Sequence, residues 1–214
     1  MKTTLIILSG GMDSVTLLHE RRDDIALAIT FSYGQKHIKE IQYTVEQCKK
    51  LYIAHMVIDI SSIILPYFKS NLLLGGGEIP LGTYEEETMH GTVVPFRNGI
   101  FLSIAVGIAE SKGLDGVMLA AHAGDHALYP DCRKEFISSM AGAIFKGTYN
   151  QIFLFAPYVE KTKRQIALIG KNLGVDYAQT WSCYEGRENH CGKCGTCIER
   201  KEALKGFDPT TYEA

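Results

Sequence analysis

Short apolar blocks alternate with stretches of helical periodicity along most of the chain. Leu5-Ile6-Ile7-Leu8 is the first block and predicts a strand over residues 5–8, followed by a helix over 15–22. A second strand is predicted over 25–31. Residues 37–51 carry Ile38, Ile41, Val45 and Cys48 at helical spacing, and 55–60 returns to strand. A long helix is predicted over 98–111, where Ser103, Ala105, Gly107 and Ala109 allow close packing and Gly113 is the stop. Strands over 117–121 and 151–155 and helices over 131–145 and 163–173 complete the pattern. Residues 66–95 interrupt it with Gly75-Gly76-Gly77 and Glu85-Glu86-Glu87, and read as a long loop or lid. This alternation predicts an α/β fold on a doubly wound, mainly parallel sheet. Ligands of such sheets bind at the carboxyl ends of the strands.

The turn between the first strand and first helix reads Ser9-Gly10-Gly11-Met12-Asp13-Ser14. Glycines let a backbone approach a phosphate, and the first amides of a helix face an anion with a favourable dipole. Ser9 and Ser14 add hydroxyl donors. No Gly-Lys-Ser/Thr follows, so this is not a Walker A loop, and the third glycine of a dinucleotide fingerprint is missing. The string resembles the pyrophosphate-binding loop of the ATP pyrophosphatase superfamily, whose members split ATP into AMP and pyrophosphate. An ordinary serine-capped Gly-Gly turn is the plain alternative.

At 214 residues, 46% hydrophobic and 21% charged, the chain has the composition of a soluble globular protein. A net charge of −2 gives no reason to expect a nucleic acid or anionic membrane partner. The apolar N-terminal run stops at Ser9, too short for a signal peptide, and no transmembrane segment is expected. A cytoplasmic location follows, where thiols stay reduced. Of the six cysteines, Cys183, Cys191, Cys194 and Cys197 are spaced C-x7-C-x2-C-x2-C. Four thiolates so placed suit one tetrahedral Zn2+, with an iron–sulfur cluster as the alternative. The expected organisation is a nucleotide-binding domain over 1–180 and a small four-cysteine zinc-binding subdomain over 181–214. Cys48 reads as core. Cys132 reads as either site-lining or structural.

Further polar groups follow the strands. Tyr33, Gln35 and His37 offer stacking, amide recognition and a titratable ring, or simply a capped helix start. Arg97 can hold phosphate or carboxylate bidentately, and Asn98 can be a plain N-cap. Asp131 is either the N-cap of the next helix or an acceptor for a guanine-like N–H pair. Lys161 and Lys163 begin a helix, where positive charge is mildly unfavourable, which favours a phosphate-binding role. Trp181 reads as a packing anchor.

These segments together resemble the 7-cyano-7-deazaguanine synthase family. The likeness is carried by Ser9–Ser14, Phe31-x-Tyr33-Gly34-Gln35-x-His37-x-x-Glu40, Val94-Pro95-x-Arg97-Asn98 and Tyr129-Pro130-Asp131-Cys132-Arg133. It continues through Thr162-Lys163 and Thr180-Trp181-Ser182-Cys183-Tyr184 to Cys191-Gly192-x-Cys194-Gly195-x-Cys197. Phe96 and the string His122-Ala123-Gly124-Asp125-His126 depart from it. The resemblance implies an adenine nucleotide α-hydrolase-like fold, a place in queuosine biosynthesis, structural zinc and a homodimer. It also implies an ATP-dependent C–N ligase that converts 7-carboxy-7-deazaguanine and ammonia into the nitrile. ATP is then expected on Leu8, Ser9, Gly10, Gly11, Met12, Asp13 and Ser14, with Tyr33, Gln35 and His37 beside it. Asp13 is expected to help place Mg2+, Arg97 and Lys163 to meet the triphosphate, and Asp131 and Arg133 to meet the deazaguanine or its carboxylate. A ligase using another amine, a tRNA thiolase and a non-catalytic nucleotide-binding module are the competing readings.

Overall fold

The computed structural model describes residues 3–82, 90–123 and 129–213. Five strands, β1 (Thr4–Ile7), β2 (Ile25–Ser32), β3 (Ala54–Asp59), β4 (Gly116–Met118) and β5 (Phe153–Phe155), form one sheet in the order β3-β2-β1-β4-β5. Every pairing is parallel, with Thr4 opposite both Ile25 and Gly116, Leu27 opposite Ala54, and Gly116 opposite Phe153. The central strands are buried on both faces, which is why they read as continuous apolar blocks. The edge strand β3 is largely exposed and mixes apolar with polar residues.

The helices are α1 (Met12–Glu20), α2 (Glu40–Leu51), α3 (Ser61–Ile64), α4 (Arg97–Ser111), α5 (Lys134–Gly147), α6 (Lys163–Asn172) and α7 (Gly195–Ala203). Side chains alternate across the sheet. Leu5, Ile7, Leu27, Ile29, Phe31 and Val117 pack with Phe101, Leu102 and Ala105 of α4 and Ile137 and Ile144 of α5. Ile6, Leu8, Ala28 and Met118 pack on the other side with Val15 and Leu18 of α1, Cys48 of α2 and Ile166 and Ala167 of α6. The result is the doubly wound parallel architecture that the hydropathy pattern predicts. From β1 the chain winds outward to β2 and β3, then returns to β4 and β5 on the other side of β1. That reversal opens a crevice beyond the carboxyl ends of β1 and β4.

Local details differ from the sequence expectation for physical reasons. Helix α2 starts at Glu40 rather than 37, because residues 33–37 make the connection that follows β2. The helix expected over 131–145 divides into a 3-10 turn, Pro130–Cys132, and α5, separated by Arg133 in an extended conformation. Gly113, with φ +65, ends α4 as expected. Within 66–82, Leu73 bridges to Gln35, Leu81 bridges to Cys194, and Lys36 Nζ donates to the Gly77 carbonyl at 2.6 Å. The Glu85–Glu87 run, and Gly124, Asp125 and His126 of the histidine string, lie outside the described residues. The stretch His90–Ser111 is long and apolar enough by composition to cross a membrane. Its helical part is the core helix α4, with Phe101, Leu102, Ala105 and Ala109 buried against the sheet.

Candidate functional site

The turn after β1 is built around Gly10, whose φ of +77 is left-handed. A Cβ there would lie 2.6 Å from the Glu40 carbonyl oxygen, so the first turn of α2 leaves room for nothing larger. Gly11 is the N-cap of α1 and supplies no side-chain acceptor to its first amides. The hydroxyls of Ser9 and Ser14 are 3.0 Å apart, and the Ser9 N–H donates to Ser14 Oγ at 3.2 Å. Two hydroxyls and the amino end of a helix therefore share one small concavity. The Trp181 N–H fixes the turn from outside by donating to the Gly10 carbonyl at 2.9 Å.

A cleft of about 200 Å³ extends from this turn across the ends of β1, β2 and β4. Leu8, Ser9, Gly11, Met12, Asp13 and Ser14 form one side of it, and Tyr33, His37, Arg97 and Lys163 also face it. Asp13 is the electrostatic centre of this end of the cleft. Its Oδ2 lies 3.6 Å from Lys163 Nζ and 3.5 Å from His122 Nε2. Its Oδ1 is buried without a hydrogen bond among the described residues, an acceptor left for a bound species. Lys163 in turn meets Glu199 at 3.0 Å.

The opposite wall combines aromatic rings with buried polar groups. Phe31 and Phe101 stack at 4.2 Å, and Tyr33 tilts against Phe101. Arg97 Nη1 donates to the Tyr33 hydroxyl at 3.3 Å. Burial opposes the Arg97 charge, but Tyr33, Asp131, Tyr184 and Cys132 outweigh it and hold the guanidinium protonated. His37 and Glu40 are buried side by side, Nε2 to Oε2 3.6 Å. Burial, reinforced by the Arg97 charge, pushes His37 down to about 3, and burial pushes Glu40 up to about 8. Both are thus neutral near pH 7, and their contact is not an ion pair. Gln35 is spent internally: it accepts from the Tyr33 N–H at 2.8 Å and donates to the Phe31 carbonyl and to Glu40 Oε1, each at 3.0 Å. It braces the wall rather than lining the cleft.

Asp131 and Asn98 hold each other. Asp131 Oδ2 accepts the backbone N–H of Asn98 at 2.8 Å, so it caps α4 rather than its own helix. Asn98 is the second residue of α4, not its N-cap, and its amide donates to the Asp131 carbonyl and to Cys132 Sγ, each at 3.2 Å. The N-cap of α4 is Phe96, with φ +53. Cys132 is buried and lines the cleft, whereas Arg133 is exposed at the start of α5. The turn residues Ser9, Gly11, Met12, Asp13 and Ser14, Arg97 and Lys163 therefore line one cleft, with Asp131 at the start of Arg97's helix; Asp131 and Arg133 are not among the lining residues.

Cys183, Cys191, Cys194 and Cys197 are all buried, and their sulfurs lie within 4.8 Å of one another. The Sγ atoms of Cys191 and Cys197 are 3.9 Å apart, far beyond a disulfide bond. Zn–S bonds of about 2.3 Å in a tetrahedron place sulfurs about 3.8 Å apart, so this cage fits one metal ion. An iron–sulfur cluster would put several metal and sulfide atoms between the cysteines. The Cys191 and Cys194 amides aim at sulfur, donating to Cys183 and Cys191 at 3.3 Å each.

A family model described as queuosine biosynthesis protein QueC matches residues 3–208. The chain is 54% identical to a 7-cyano-7-deazaguanine synthase of Porphyromonas gingivalis, covering 99% of this chain and 98% of the relative. It belongs to the 7-cyano-7-deazaguanine synthase family. A synthase of Desulfotalea psychrophila is 48% identical over 99% of both chains, and one of Methanoregula boonei is 47% identical over 98% of both. Among solved structures, an NMN synthetase from Francisella tularensis superposes with a TM-score of 0.52 at 16% identity, covering 97% of this chain and 79% of that one. A U34-tRNA thiolase from Methanococcus maripaludis gives 0.51 at 14% identity, covering 99% and 75%. These two likenesses concern the fold.

For this member of the 7-cyano-7-deazaguanine synthase family, the cleft contains groups to which sequence reasoning gave no role. Glu40, Tyr129, Ser182 and Tyr184 stand inside the motifs that mark the family, yet only packing shows that they line the cleft. Thr196 and Glu199 lie between and just beyond the last two cysteines, and their proximity to a metal-binding pattern drew attention to the sulfurs instead.

Proposed function

We propose that this chain uses ATP to convert 7-carboxy-7-deazaguanine and ammonia into 7-cyano-7-deazaguanine. The observation that carries the reading is the Ser9–Ser14 turn, which opens into the same cleft as Arg97 and Lys163. A carboxylate resists attack because its leaving group would be oxide. Transfer of AMP onto that oxygen supplies a better one. The substrate carboxylate attacks the α-phosphorus of ATP and pyrophosphate departs. Ammonia adds to the acyl carbon, AMP leaves with the C–O electrons, and a proton is shed to give the amide. The amide oxygen then attacks the α-phosphorus of a second ATP, pyrophosphate departs, and an N–H proton is shed to leave the O-adenylated imidate. Loss of AMP and of the remaining N–H proton leaves the carbon–nitrogen triple bond.

The protein's contribution is to hold groups in place and neutralise phosphate charge. Ser9, Gly10, Gly11 and Ser14 hold the departing pyrophosphate with hydroxyls and helix amides, flanked by Leu8 and Met12. Lys163 answers the phosphate charge. The free Oδ1 of Asp13 suits Mg2+, which supplies positive charge to ATP when bound. Arg97 faces the substrate carboxylate or the triphosphate, and Tyr33 and His37 pack beside the bound rings. Asp131 serves by fixing the start of α4. The four-cysteine cage holds Zn2+ in a structural role within residues 181–214, and two copies of the chain associate as a homodimer. The net charge of −2 supports small-molecule substrates rather than nucleic acid.

Incubation with ATP, magnesium and 7-carboxy-7-deazaguanine, with and without ammonium, tests the reading by mass spectrometry. AMP and nitrile are expected with ammonium. AMP without nitrile would indicate another amine acceptor, and no AMP at all would leave only a nucleotide-binding module.

A further inference from the structure

The cysteine-bearing segment reaches the phosphate end of the cleft at two places. One is the Trp181 N–H on the Gly10 carbonyl, two residues before Cys183. The other is a charged contact from α7, the helix capped by Cys194 and carrying Cys197. Glu199 of α7 projects into the cleft and meets Lys163 of α6, Oε2 to Nζ 3.0 Å, with 25% and 15% of their side chains exposed. The same ammonium lies 3.6 Å from Asp13 Oδ2. Lysine presents a point charge on a flexible stem, without the fixed fork of arginine. The carboxylates around it therefore decide where that charge rests. Arg200, the next residue, is fully buried, donates to Ser182 Oγ and Thr210 Oγ1 at 2.9 and 2.8 Å within the same segment, and ties α7 to the body by donating to the Tyr177 carbonyl. Glu199 is thus mounted on a fixed support.

Resting on the reading of the cleft as the ATP site, we infer that Glu199 is a positioning residue that aims Lys163 at the nucleotide phosphates. The cysteine helix thereby takes part in setting nucleotide affinity. The contribution belongs to α7, not to the strand–helix framework that carries the phosphate turn.

The test measures binding of α,β-methylene-ATP with magnesium by calorimetry to the full chain, E199Q, E199D, K163M and the E199Q/K163M double variant. Elemental analysis and melting curves establish that each variant keeps its metal and its fold. E199Q is expected to bind about tenfold more weakly, within the range of coupling between contacting residues. E199D, which retains the charge on a shorter stem, recovers part of the loss. The double variant binds no more weakly than K163M alone, because Glu199 acts through Lys163. Unchanged or tighter binding by E199Q overturns the inference, as does a loss that multiplies with that of K163M. Failure of the unmodified chain to bind the analogue overturns the ATP reading as well, which separates the two failures.

Discussion

Gly10 and Glu40 show how little freedom single positions near the cleft possess. The left-handed φ of Gly10 costs an L-residue about 1–2 kcal/mol, and a Cβ 2.6 Å from the Glu40 carbonyl must also displace backbone. Gly10→Ala is therefore expected to lower the melting temperature by at least about 3 °C and to abolish AMP formation. Glu40 gives a pH signature. Its carboxyl is pushed by burial from 4.5 up to about 8, so the fold holds a proton that the unfolded chain releases. Stability then falls as pH rises through that window. Glu40→Gln is expected to flatten the decline in melting temperature between about pH 6.5, where the opposing His37 contribution ends, and about pH 8, and an unchanged slope would show that another group causes it. His37 has the opposite sign: held down to about 3, it makes stability rise with pH up to 6.5. The sequence marked Gln35 and His37 as candidate contacts because of their chemistry. It could not show that Gln35 has spent its amide on the Tyr33 and Phe31 backbone.

Among the elements, α4 and the Pro130–Cys132 turn are the pair whose relation was least legible. Asp131 precedes a helix and so reads as its cap, since capping preferences are local. In the fold it caps α4, 33 residues earlier in the chain, and Asn98 returns a hydrogen bond to the Asp131 carbonyl. Asp131→Ala removes an N-terminal acceptor and is expected to cost about 1 kcal/mol, seen as a melting temperature about 3 °C lower. Because Arg97 is the first residue of α4, the same variant should raise the KM for the deazaguanine substrate more than Gly or Ser replacements on exposed faces. Arg97→Ala is expected to keep the melting temperature within about 2 °C while turnover drops at least about a hundredfold, as loss of a charged contact to the reacting groups requires. Normal turnover by that variant would remove Arg97 from the mechanism.

The cleft draws on residues from Ile7 to Glu199, and one end of it lies between two parts of the chain: the turn after β1 and the cysteine segment. This arrangement makes metal loading a property of the fold rather than of one loop. The four sulfurs are buried together, and Trp181 packs beside them with its indole N–H on the Cys183 carbonyl at 2.8 Å. Without a cation, thiolates crowded in this cage would have nothing to neutralise their charge. Exhaustive chelation is expected to lower the melting temperature by at least about 5 °C and to weaken α,β-methylene-ATP binding, with both restored by Zn2+. Elemental analysis giving iron in place of zinc would correct the assignment of the cage.

The chain order of apolar blocks was enough to specify five strands, their intervening helices and the strand end that carries the Ser9–Ser14 turn. Those features depend on periodicity and glycine placement, which are local and written in consecutive residues. The cysteine spacing likewise sufficed for a metal cage, because ligands within 15 residues close on one point. Tertiary packing alone decided that Asp131 caps a distant helix, that His37 and Glu40 are neutral partners, and that Glu199 meets Lys163. The first and last of these depend on side chains from separate elements converging, a distance that no spacing along the chain encodes; His37 and Glu40 are three residues apart, and it is burial in the fold that sets their charge.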